Sequence, residues 1–92
     1  SIVDFADNIR SIKNAYEGSK DGDKSVSDFI ASVNAEKDKA VKDAIAAAIT
    51  SIEKIPEPFA KNATSQTTKD AIAAVAKVSN TLSEAANVLN EN

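Results

Sequence analysis

The 92-residue sequence predicts an all-α protein, an antiparallel up-and-down bundle of three substantial helices and one short one. Three observations carry that prediction. Apolar residues recur at spacings of three and four in long segments, as on one face of an amphipathic helix. No segment alternates apolar and polar residues in the manner of a half-buried strand. The apolar content of 42% is dominated by 17 Ala, with 9 Ile and 7 Val but only 2 Leu, 3 Phe and 1 Tyr. Alanine is the best helix former and adds little core volume, so such helices pack close together.

The first helix is marked by Ile2, Phe5, Ile9, Ile12 and Tyr16, with Gly18 as its stop. Ser19 to Ser25 read as a polar loop around Gly22. Asp21 and Asp23 within it are spaced as in a calcium loop, but Val26 and Ser32 stand where such a loop needs Gly and Glu. Ser25 or Ser27 is expected to cap a short helix carrying Val26, Phe29, Ile30 and Val33. Asn34 is a candidate cap for the next helix, whose stripe is Val41, Ile45, Ala48, Ile52 and Ile55, widened by Ala44 and Ile49. Lys37, Lys39 and Lys42 alternate with Asp38 and Asp43 and read as a solvated face.

Pro56 and Pro58 disfavour helical geometry at Ile55 and Glu57 and end this helix in a stiff turn. Phe59 is expected to be buried, pinning that turn to the bundle. Asn62 to Thr67 read as a second loop, with Thr67 and Asp70 as a capping-box pair. The last helix is assigned the stripe Ile72, Val75, Ser79, Leu82, Ala86 and Leu89, flanked by Ala71, Val78 and Ala85.

Composition excludes several chemistries. The chain has no Cys, His, Met or Trp. It cannot build a disulfide, a Cys/His zinc site or a Ser-His-Asp triad from its own residues. A net charge of −3, with no basic patch interleaved with aromatics, argues against nucleic acid. The longest uncharged run, residues 44–52, is too short to span a membrane. Asp4 with Asp7, and Glu53 with Glu57, read as surface acids. Asn62-Ala63-Thr64 matches a glycosylation acceptor, a pattern that chance often produces. Tyr16 and Phe59 read as core or loop anchors. No residue is assigned a catalytic, cofactor-binding or metal-ligating role.

Three stretches share order and spacing with a known family. They are Ile9-Arg-Ser-Ile12-Lys-Asn-Ala-Tyr16-Glu-Gly18, then Ser25 to Asp38, then Ala44-Ile45 followed by Ile49, Ile52 and Ile55-Pro-Glu-Pro-Phe59. Together they resemble the imelysin-like family of bacterial envelope proteins; the Pro-x-Pro-Phe element is the most specific. The resemblance implies an all-helical protein of two related bundles, exported to the periplasm or held at the outer membrane as a lipoprotein. It also implies a link to iron or haem acquisition, or membership of a peptidase class. Residues 1–92 would then form one helical domain, the C-terminal fragment of a longer chain, with the upstream part as partner. The family's Gly-x-His-x-x-Glu motif has no counterpart here, so no functional residue carries over and any iron or haem would belong to the longer protein. In isolation the fragment is expected to form a homodimer through the wide face of the Ala44–Ile55 helix, and the competing expectation is a free-standing helical interaction or dimerisation module.

Overall fold

The computed structural model describes residues 1–18, 22 and 24–91. They form α1 (Ile2–Glu17), α2 (Val26–Val33), α3 (Ala35–Glu53), α4 (Phe59–Asn62) and α5 (Gln66–Asn90). No strand occurs among the described residues. The all-α bundle follows the expected order, with α4 as an additional short turn of helix. The candidate calcium loop residues Asp21 and Asp23 lie outside the described residues.

Caps set the boundaries. Ser1 and Asp4 form a capping box on α1, as do Ser25 and Asp28 on α2. Each satisfies backbone N–H groups that a helix start leaves without partners. The Asn34 side chain accepts from the Lys37 N–H and starts α3 only one residue after α2 stops. Gly18 ends α1 at φ 94°, in the region open chiefly to glycine. A Cβ there would stand 2.5 Å from the Cβ of Ser25. Glycine therefore lets the start of α2 close against the end of α1.

The central helix is α3. It packs against α1, α2 and α5, while α1 and α5 make no substantial contact with each other. Arg10 of α1 meets Glu53 near the end of α3, and Tyr16 meets Asp38 near its start, so the two helices run antiparallel. Lys37 of α3 reaches Glu84 of α5 at 3.1 Å, placing the start of α3 beside the second half of α5. The expected stripe on α3 is the core. Val41, Ile45, Ala48 and Ile52 are all at most 1% exposed, with Ala44 buried and Ile49 packed at the edge. The molecule measures 47 × 27 × 15 Å.

Helix α5 departs from expectation. Its buried residues are Thr68, Ala71, Val78, Thr81, Ala85 and Val88. Ile72 is 64% exposed and Leu89 44%. The helix is thus rotated so that the residues read as flanks form its core face. Lys37, Ala44 and Ala48 share one side of α3, the side that faces α5. The buried face of α5, against which α3 packs, is likewise built largely of small residues, Ala71, Val78 and Ala85, which suits closer packing than a row of Ile and Leu. The α5 cap also differs: Ser65, not Thr67, accepts the Thr68 N–H, and Gln66 donates to Asp70. Thr68 turns its hydroxyl onto the Asn62 carbonyl at 2.7 Å, which fixes the helix start two residues earlier.

Phe59 is 45% exposed and does not anchor the turn. Asn62 does so instead. Its side-chain amide donates to the carbonyls of Pro56 at 3.0 Å and Pro58 at 2.9 Å. The Glu57–Pro58 peptide bond is cis.

Candidate functional site

Two features stand out from the packed core, one polar and one apolar. The polar one centres on Asp38, which is 5% exposed and belongs to α3. Its Oδ1 accepts from Ser27 Oγ at 2.6 Å and from Tyr16 Oη at 3.0 Å. Its Oδ2 pairs with Lys42 Nζ at 3.0 Å, one turn along the same helix. One carboxylate therefore ties α1, α2 and α3 together. The reading of Asp38 as part of a solvated face is corrected here, and Lys42 is its partner; Lys39 and Asp43 do form an exposed pair. Tyr16, 4% exposed, is the core anchor that the sequence suggests.

The electrostatics follow from this geometry. Burial pushes the Asp38 carboxyl up, but hydrogen bonds from Ser27, Lys42 and Tyr16 outweigh it and hold the group below its ordinary value of 3.8. Burial first, and the neighbouring Asp38 carboxylate second, raise the Tyr16 phenol, which stays protonated and donates. The same carboxylate raises Lys42. Among the described residues, no buried side-chain polar atom lacks a hydrogen-bond partner. The cluster holds three helices together, and its buried hydroxyls are spent on the Asp38 carboxylate.

Of the other acids weighed from the sequence, Asp4, Asp7 and Glu53 are also engaged. Asp4 caps α1. Asp7 and Glu53 both bind Arg10, at 2.9 and 2.7 Å, clamping α1 to the end of α3. Glu57 is exposed in the proline turn. Among the described residues, no three carboxylates converge as metal ligands. A haem iron takes an axial His, Met, Cys or Tyr. The one tyrosine is buried with its hydroxyl donated to Asp38. Among the described residues, the donors in place do not fit an iron or haem site.

The apolar feature is a cleft of about 330 Å³ at the opposite end of the bundle. Ile2 and Phe5 of α1, Ile52 of α3, Phe59 of α4 and Ala71, Ile72 and Val75 of α5 line it, with Ser1, Ile55 and Thr68. No charged side chain is among them. Thr68 spends its hydroxyl on Asn62 and so offers no free donor. Sequence reasoning missed the cleft because it assigned Phe59 and Ile72 to the core. It missed Asp38 because charge alternation hid a residue that stands three before Val41 and seven before Ile45, in line with the buried stripe.

No helix of the described residues is long and apolar enough to cross a membrane. No curated protein and no solved structure matches the chain. The model of one family does, the peptidase M75 family described as imelysin, over residues 1–89. That match spans nearly the whole chain and includes α1, α2, the α3 stripe and the Pro-x-Pro-Phe turn that carry the resemblance. The chain belongs to the imelysin family.

Proposed function

We propose that this chain is a non-catalytic helical scaffold within an imelysin-like exported protein that serves iron or haem acquisition at the bacterial envelope. The observation that supports this reading is the use of the buried polar groups. Asp38, Tyr16, Ser27, Thr68 and Thr81 all bond to protein atoms and lock helices to one another or to their own turns. Active sites tend instead to hold titratable groups in a cleft with capacity left for substrate. The apolar cleft holds no titratable side chain, and no residue of the polar cluster lines it. Family membership supplies the iron, haem and envelope parts of the proposal, and the peptidase label attaches to other residues than these.

Titration calorimetry with ferrous iron, and haem titration followed by absorbance, test the scaffold reading on the 92-residue chain. Neither is expected to show saturable binding in the micromolar range. A one-site isotherm abolished by Asp38→Asn or Tyr16→Phe would overturn it. Cell fractionation tests the envelope reading, for which recovery in the cytosol is the contrary result.

A further inference from the structure

Helix α5 carries two apolar stripes. One is buried on α3; the other, containing Ile72, Val75, Leu82 and Leu89, is left half-open. Helix α1 shows the same division. Ile9 and Tyr16 point inward, while Phe5 and Ile12, seven residues apart, are 50% and 37% exposed on one flank. The cleft brings Phe5 and Ile72 together. The two flanks therefore face each other across a groove whose floor is α3.

The groove is filled at one end only. Helix α2 touches α1, α3 and α5 and is fixed over the start of α3 by Ser27 and Asp38. Its eight residues span about 12 Å, against about 28 Å for the 19 of α3. The cleft lies toward the other end, beside Ile52 of α3 and Ile55 just past it, and no α2 residue lines it. Helix α2 itself projects apolar side chains: Val26, Phe29 and Val33 are 50%, 55% and 43% exposed.

We propose that a second copy of this chain closes the groove, through a two-fold interface in which α2 of each copy lies over the open cleft of the other. A convex apolar helix and a concave apolar cleft occupy opposite ends of one groove. A two-fold axis perpendicular to the groove exchanges those ends and matches both pairs at once, the self-complementarity that an isologous interface requires. A small apolar ligand in the cleft would cover Phe5, Phe59 and Ile72 but leave α2 uncovered.

Area points the same way. Every exposed large apolar side chain except Val3 belongs to these flanks, to the cleft or to α2. About half-exposed, they present together roughly 700 Å² per copy, close to the ~800 Å² per partner of a stable interface. The cleft has no charged lining side chain, as expected of an interface core. This inference is independent of the envelope and iron reading and stands or falls without it.

Sedimentation equilibrium of the 92-residue chain, from about 1 to about 200 micromolar, tests it across the range where such interfaces form. The mass is expected to rise to that of two copies. Ile72→Glu and Phe29→Glu, both at exposed positions, are each expected to weaken the dimer more than about tenfold while leaving the helical circular dichroism unchanged. Val3→Glu, on the opposite flank of α1 beside Arg10, leaves it intact. Because the chain has no cysteine, mixing Phe29→Cys with Ile72→Cys chains adds a direct readout: the 29–72 disulfide should outpace both symmetric ones. A monomer at every concentration overturns the proposal, and a monomer that binds a hydrophobic dye assigns the groove to another occupant. A dimer that survives both glutamates, or one that yields chiefly 29–29 and 72–72 disulfides, overturns it as well.

Discussion

At the end of the molecule where α2 sits, three helices converge on one carboxylate, the buried hydroxyls of Tyr16 and Ser27 are matched to it, and Gly18 lets α2 start close against the end of α1. At the other end, α1, α3, α4 and α5 surround an open apolar cleft, and the turn is held by one asparagine amide. Both ends are built on the same α3 stripe. They differ in what surrounds it: hydrogen bonds of fixed geometry at Asp38, non-directional apolar contact at Phe5, Phe59 and Ile72. Directional bonds specify how α2 docks, whereas apolar contact alone leaves surface for a partner. Substitutions at the two ends should therefore have unequal costs.

The largest effect is expected from Asp38→Ala. It removes the acceptor shared by Tyr16 and Ser27, both below 5% exposed, and leaves two buried hydroxyls without partners. At ~1–3 kcal/mol for each such group, partly relieved by repacking, the loss is about 3 kcal/mol. A domain of this size then melts more than about 10 °C lower. Differential scanning calorimetry checks it; an unchanged melting temperature would show that the cluster does not hold α2.

Next comes Gly18→Ala. It places a Cβ where Ser25 already stands and asks an L-residue to adopt φ 94°. A loss of about 2 kcal/mol is expected in urea unfolding, within the usual range for strain at a special backbone angle. A double-mutant cycle with Ser25→Gly separates the two causes, the single Ser25→Gly chain accounting for the lost α2 cap.

Acid has a gentler action on the same end, because it protonates Asp38 without removing its oxygens. The folded-state value lies below the ordinary 3.8, so the unfolded chain binds the proton more readily. Stability from Asp38 is then fully present above pH ~4, falls as pH drops through 3.8 toward the folded value, and levels off below it. In Asp38→Asn this part of the acid dependence should vanish. A wild-type and variant that fall in parallel below pH ~4 would place the titration elsewhere.

The two ends were also unequally legible. Residue type at a helix boundary is a local signal, so Gly18, Ser25 and Asn34 could be placed without knowing the fold. The α3 stripe was equally clear, because a central helix buries a wide arc and tolerates small errors of phase. On α5 the phase mattered. Ile72 and Leu82 outweigh Ala71 and Val78 in any count of hydrophobicity, but Ala44 and Ala48 reward small partners, a property of the facing helix rather than of α5. Asp38 was hidden by its charged neighbours, since which acid of an alternating run turns inward depends on a tyrosine 22 residues away. The cleft is a property of what α2 leaves uncovered, and helix length in three dimensions is not written at any one position.

The smallest effect is expected where the sequence suggested a large one. A buried Phe→Ala typically costs ~3–5 kcal/mol. Phe59 is 45% exposed, lies in a four-residue helix with no buried residue, and faces a cleft that is already open. No new cavity is created by its removal, because the space is continuous with solvent, so only part of the transfer energy is lost. Phe59→Ala should cost less than about 1 kcal/mol and shift the melting temperature by only a few degrees. Asn62→Ala is the sharper probe of the same turn, since it deletes the donor to both proline carbonyls. If Phe59→Ala lowers the melting point further than Asn62→Ala in a dilute, monomeric sample, the apolar contact holds the turn after all. If its effect grows with protein concentration, the side chain is covered in an assembly, and the open end of the bundle is the surface on which copies meet.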